Sequence, residues 1–331
     1  MLSDDYKTRC EELIESAIRY SQKNLKSFNK NVDIDYSVIN TLEFNANSKL
    51  CEEKYAINIH SEVFERIYDI LKVLFYKENI TFYKSVSWDE EYCEEKAFKY
   101  LGLLMELSTK LIINHELGHI LNGHLRYKKS LNIVNDKNEC YMFMDSEKNE
   151  LDPIESQVLE MDADAYAATC GIGAITYDEN INNYNKITPN FIKNKSHAVI
   201  LLVIASTIVF SIQGLGKKKE NSNLEDLKYL PLRTRQDYYM RCILNAYKNM
   251  NLKEKLDFDI DFLREVLPNI EEYVNLYNQQ VLGFHSDDYN SKNNIEELGQ
   301  VYLKHCDYLD RFWTKTMRDK LLPYSYLSLF P

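Results

Sequence analysis

His115-Glu116-Leu117-Gly118-His119 is the stretch of this chain best suited to chemistry. The residues before it, Leu101 to Ile113, read as helix. On a helix, positions i and i+4 lie on one face, so the two imidazoles point the same way with Glu116 beside them. Two neutral nitrogen ligands, a neighbouring carboxylate to take a proton from an attacking water and an open coordination position are what a zinc hydrolase requires.

Two histidines do not hold a catalytic zinc, so a third protein ligand is needed. Glu160, in Glu160-Met-Asp-Ala-Asp164, is the candidate, on a helix that Pro153 opens at its first position. Glu160 and Asp164 are four residues apart and share a face. One carboxylate can bind the metal while the other accepts the second ring N–H of a ligand histidine and fixes its tautomer. His124 is the rival. It lies five residues beyond His119, ~140° round the helix at ~100° per residue, unless Gly123 bends the chain. In the metzincin pattern Gly and His stand three and six residues beyond the second histidine; here they stand four and five beyond it. We therefore read His124 as a structural histidine at the helix end. Asp162 reads as solvated or as a cap partner, and His60, His197, His285 and His305 as isolated surface or core residues. Glu116 is the general base. Tyr229, Tyr238 and Tyr239 are weak candidates for an oxyanion donor among 25 tyrosines.

The elements that must position these residues follow from composition and periodicity. Nine glycines and six prolines in 331 residues favour long helices. Asp4 to Ser27 reads as an amphipathic helix. Val32–Ser37, Leu42–Ala46 and Tyr55–Ile59 are β-prone runs between Asn-rich turns and suggest a small antiparallel sheet. Ser61 to Lys77 reads as helix, with Val63, Phe64, Ile67, Ile70, Leu71 and Leu74 inward. A helical stretch from about Trp88 to Tyr127 allows a break near Gly102, and a polar excursion from Lys128 to Asp152 follows. Gly171 and Gly173 close the next helix. Ala198 to Phe210 is almost wholly apolar but short of the ~20 residues a membrane span needs, and reads as a buried core helix. A loop from Gly214 to Asn223 leads to a helix from about Leu232. Residues 1–250 read as one domain and 251–331 as a helical extension.

Formal net charge is −11, which disfavours a nucleic-acid partner, and Lys217-Lys218-Lys219 reads as a solvated loop. Seven cysteines without C-x-x-C pairing read as reduced, mostly buried thiols. Met1 to Lys7 is polar and acidic, unlike a signal peptide, so the expected location is cytoplasmic. Abundant Tyr, Asn, Lys and Ile suggest an AT-rich bacterial genome.

The order H-E-x-x-H-x-x-x-x-H (His115 to His124) followed by E-x-x-A-D (Glu160 to Asp164) resembles the phage-exclusion Lit peptidases, bacterial zinc endopeptidases, and more distantly the membrane-linked heat-shock zinc proteases. The apolar run from Ala198 resembles the helix after the third ligand in Lit, a soluble protein. Leu230-Pro-Leu-Arg-Thr-Arg235 is similar to the family's H-P-x-x-x-R element, with Leu230 in place of its histidine, and this likeness implies Arg235 as the candidate oxyanion donor. The likeness spans roughly residues 40 to 245. It implies a predominantly helical α+β, zincin-like fold and one zinc on His115, His119 and Glu160, with Asp164 behind them. It further implies hydrolysis of a host protein during phage infection, elongation factor Tu being the target associated with Lit.

Overall fold

The computed structural model describes residues 4–27, 30–75, 80–89, 91–131, 139–141, 151–213, 224–227, 229–249 and 295–329, with isolated positions between 267 and 274. The loop after Gly214, His285 and Met142 to Met144 lie outside the described residues. The fold is α+β and predominantly helical.

The chain opens with α1 (Asp4–Ser27), the helix its amphipathic spacing predicts. Then come β1 (Ile34–Ile39), β2 (Ala46–Cys51) and β3 (Lys54–His60), and later a short β4 (Glu139–Tyr141). Sheet order is β1-β3-β2-β4. The sheet is mixed, not antiparallel: β2 runs antiparallel to β3 and β4, but β1 pairs parallel with β3, Ile34 against Tyr55 through Ile39 against His60. The second β run also differs from expectation, starting at Ala46 instead of ending there. Asn47 joins a strand because its side-chain amide oxygen finds a partner across the sheet. Asn47 and Asn58 face each other in the β2–β3 register. Asn58 Nδ2 donates to Asn47 Oδ1 at 2.9 Å, and Ser37 Oγ donates to Asn58 Oδ1 at 2.7 Å. Such satisfied amides remove the usual cost of burying polar groups in a sheet.

β3 runs directly into α2 (Ser61–Leu74), which buries the six apolar residues its periodicity selects. After α3 (Ile80–Ser87) comes α4 (Glu94–Leu121), 28 residues that continue unbroken through Gly102. α4 packs against α1, α2, β2, β3 and two later helices, α6 and α8, so it is buried on nearly every side and lacks an amphipathic stripe. It ends at Asn122. Gly123 takes φ +86°, a left-handed conformation that favours glycine, and the chain restarts as α5 (His124–Ser130).

α6 (Pro153–Thr176) begins as expected, the Asp152 side chain accepting from the Ile154 N–H at 2.8 Å with Pro153 in the first turn. It does not end at Gly171 or Gly173. A Cβ on Gly171 would lie 3.0 Å from Leu202 Cδ1, so this glycine permits close helix packing rather than terminating the helix. α7 (Asp178–Ile187) precedes α8 (Lys195–Gln213). α8 is long and apolar enough to cross a membrane, yet 94% of its apolar window is buried inside the protein. Its two mid-helix hydroxyls are satisfied: Ser206 and Thr207 donate to the Val203 carbonyl, and Gln236 donates to Thr207 Oγ1. Each fully buried Val, Leu or Ile on such a helix contributes ~1.5–3 kcal/mol. α9 (Leu232–Asn249) packs against α6 and α8.

Residues 295–329 do not stand apart from these helices. α10 (Ile295–Phe312) and the turns after it supply Leu309, Met317 and Leu321 to a second apolar cluster with Tyr127, Val158, Leu159, Met161 and Leu230. Cys10 and Cys306 are buried, Cys51 is exposed, and Cys93, Cys170 and Cys242 are half-buried; none of these six forms a disulfide.

Candidate metal centre

α4 and α6 cross where the two motifs lie, and Gly118 allows them to touch. A Cβ there would meet Ala163 Cα at 3.0 Å and its carbonyl oxygen at 3.3 Å. The glycine between the motif histidines therefore lets α6 approach α4 at backbone distance, and Glu160 comes to face the imidazoles.

His115, His119 and Glu160 form a buried cluster able to hold a metal ion. The two Nε2 atoms are 3.1 Å apart; His115 Nε2 lies 3.4 Å from Glu160 Oε2, and His119 Nε2 lies 3.4 Å from Glu160 Oε1. A four-coordinate zinc with bonds of ~2.0–2.1 Å spaces its ligands ~3.3 Å apart. The three donor separations match that requirement. Glu160 Oε2 is buried without a hydrogen-bond partner, as are both oxygens of Glu116. Orphaned buried oxygens beside two ring nitrogens are costly unless a cation joins them, so the donor set suits a metal ion.

Behind the cluster, Asp164 Oδ1 lies 2.8 Å from His115 Nδ1. Arg235 donates twice to Asp164, from Nε to Oδ2 at 2.9 Å and from Nη2 to Oδ1 at 2.8 Å, and its Nη1 lies 3.5 Å from Glu160 Oε2. The guanidinium thus neutralises the carboxylates that orient the site. His119 Nδ1 lies 2.8 Å from His124 Nδ1, and His124 Nε2 lies 2.9 Å from Asp162 Oδ2. Asn122 Nδ2 donates to that same oxygen at 2.6 Å.

Burial dominates the electrostatics, since every group here is less than 4% exposed except Asp162 and Asn122. Burial pushes the Glu116 carboxyl up to about 7; the neighbouring His115 charge and the Ser48 hydroxyl of β2 oppose it, and Glu160 adds to it. Ser48 closes no hydrogen bond of normal length with Glu116. Burial pulls His115 down, but the Asp164 and Glu160 carboxylates outweigh it and hold the imidazole up at about 9. His119 is held well below its ordinary value, chiefly by burial. Burial likewise raises Asp164, yet Arg235 and His115 together keep it below the usual carboxylate range.

The structure places the remaining expected residues elsewhere. Tyr238 packs near the second apolar cluster, and Tyr239 lies buried against Phe210 with ring centroids 5.7 Å apart. Tyr229 adds to the electrostatic field at Arg235. Leu230 is a buried member of the second cluster. Asp162 is not merely solvated or a cap, because it receives both His124 and Asn122. His60 faces Thr41 Oγ1 at 2.9 Å and His305 faces Gln157 Oε1 at 2.7 Å. Sequence reasoning missed Gly118 and Ser48. An alternation signal placing Ser48 on the inner face of a strand would have found the latter.

No family model, no curated protein and no solved structure matches this chain.

Proposed function

We propose that this protein is a zinc-dependent endopeptidase acting on a specific intracellular protein, with a role in phage exclusion. The observation that carries the reading is the His115–His119–Glu160 cluster, with donor separations of 3.1–3.4 Å and an unpartnered Glu116 carboxylate beside it. A structural zinc site has no use for a buried, unpartnered carboxylate beside the metal; hydrolysis does. A bound zinc would supply Lewis-acid polarisation of a peptide carbonyl.

The chain's own residues supply the rest. His115, His119 and Glu160 hold the metal, and Asp164 orients the His115 ring. Glu116, lifted to about 7, takes the proton of the attacking water at a carboxylate oxygen and returns it to the leaving amine. Arg235 is engaged by Asp164 on two of its nitrogens, which supports a positioning role over donation to an oxyanion. His115, Glu116 and His119 are wholly buried, so a peptide enters only after covering elements move, and we read the described state as closed. The resemblance to Lit supports a translation factor as the substrate class. Burial of α8 supports a core helix over a membrane-inserted one.

Cleavage products in cells producing the wild-type chain are compared with those in cells producing Glu116→Gln. Products specific to the wild type are expected, with turnover lowered at least ~10²-fold in the variant. Equal proteolysis by both sinks the reading.

A further inference from the structure

The two histidines are supported differently, and the difference assigns a role to His124. His115 meets a carboxylate directly. His119 meets a second imidazole, whose far nitrogen meets a carboxylate: His119 Nδ1 to His124 Nδ1 at 2.8 Å, His124 Nε2 to Asp162 Oδ2 at 2.9 Å.

The direction of this chain of bonds follows from its end. An ionised carboxylate only accepts, so His124 Nε2 carries a proton and donates it to Asp162. A neutral imidazole has one N–H, so His124 Nδ1 is bare and accepts. His119 Nδ1 is then the donor, which leaves the lone pair on His119 Nε2, the atom 3.4 Å from Glu160 Oε1. Asn122 supports the same polarity by donating to Asp162 Oδ2. Both nitrogens of His124 are thereby occupied. It sits behind His119, not among the ligands.

Gly123 makes this possible. On a continuous helix His124 would lie ~140° from His119; the left-handed turn at φ +86° swings it back. The turn is seated on distant chain. A Cβ on Gly123 would lie 2.5 Å from the Tyr324 carbonyl carbon, and Ser325 Oγ and Tyr326 N donate to the Leu121 carbonyl.

We propose that His124 and Asp162 form a directional hydrogen-bond relay that holds His119 with its proton on Nδ1, and that this relay, acting from outside the coordination sphere, sets the affinity of the His119 arm for a divalent metal. The inference rests on the metal-site reading of the cluster and is independent of peptide hydrolysis. His124 and Asp162 are positioning residues: they touch neither metal nor substrate and act through His119.

Zinc affinity of the full chain is measured by chelator competition for wild type, His124→Phe and Asp162→Asn, with folding followed by circular dichroism. The phenyl ring keeps the volume and lacks both nitrogens. Removing an outer partner of this kind weakens metal binding ~10–100-fold, which is the loss expected for His124→Phe, with a smaller loss for Asp162→Asn. The nitrogen-15 spectrum of histidine-labelled, zinc-loaded wild type should show His124 protonated on Nε2 and bare on Nδ1. That measurement decides the matter even where His124→Phe does not fold. Zinc held by wild type and His124→Phe with affinities within about twofold overturns the relay alone, as does a proton on His124 Nδ1. A loss in His124→Phe equal to that of His119→Ala makes His124 a ligand and also overturns it. Absence of zinc binding by wild type overturns the metal reading and the relay together. Zinc binding without proteolysis sinks only the peptidase reading.

Discussion

Among the described residues, two places bury imidazoles completely, and their surroundings differ in kind. His197, at the start of α8, is 0% exposed. Its Nδ1 accepts from the Lys193 N–H at 3.1 Å, and its Nε2 faces the Val86 carbonyl at 2.6 Å. The ring stacks on Trp88 with centroids 4.6 Å apart. Both nitrogens are satisfied by backbone, and burial lowers its pKa to about 4. His115 and His119 are buried as deeply, but each has only its Nδ1 satisfied behind it, while the Nε2 atoms converge with Glu160 on one point. Backbone partners that balance every polar atom mark a structural histidine. A carboxylate, or an imidazole backed by one, on one nitrogen, with a convergent unsatisfied set on the other, marks a place for a cation. Burial alone does not separate the two.

The sharpest way to test that contrast is metal linkage. Zinc at ~1,000 times its Kd should stabilise the wild-type protein by ~4 kcal/mol, read as a shift in chemical denaturation. His119→Ala should lose the increment and His197→Gln should keep it; a zinc increment surviving in His119→Ala would break the contrast.

Acid titration approaches it from the other side. His197 is held neutral in the fold, so between its unfolded value of 6.5 and about 4 the unfolded chain binds the extra proton. Its stabilising contribution is therefore complete above pH ~6.5 and is lost as pH falls toward 4, by ~3 kcal/mol in all. Denaturation curves across that window should show the loss in wild type, and the His197-dependent part should vanish in His197→Gln. A wild type and variant with parallel pH profiles would refute the assignment.

Two glycines of α4 give the smallest effects, with opposite signs. Gly118→Ala forces α6 away from the motif and should destabilise the protein by ~1–3 kcal/mol, weakening zinc binding as well. Nothing lies within 4 Å of a Cβ built on Gly102, so Gly102→Ala should stabilise by ~0.4–1 kcal/mol. Melting temperatures of the two variants check both signs.

Legibility in the sequence followed the range of the interaction. Local periodicity was enough for α1, α2 and the start of α6, because spacing and a proline encode them within a few residues. The same spacing aligned His115 with His119 and Glu160 with Asp164. Partners distant in the chain were not legible. Asn47 looked like turn until Asn58 supplied its amide partner, β1 gave no sign that it would lie parallel to β3, and Gly171 looked like a helix end because Leu202 was not in view. His124 was placed off the metal face by helical arithmetic, but its link to His119 depends on a left-handed residue that spacing does not reveal. Arg235 carried no local sign of its two bonds to Asp164, which lies 71 residues earlier.

The Leu121 carbonyl, at the end of the helix that carries both histidines, is bonded to a serine 204 positions further along. Contacts of such separation form slowly, after nearer pairs have closed. An emerging polypeptide can wind the motif early, but the turn beneath its last imidazole is braced only when this distant stretch has docked. The brace thus ties the turn to chain far from it in sequence, and a nick in the long interval would leave it dependent on noncovalent association.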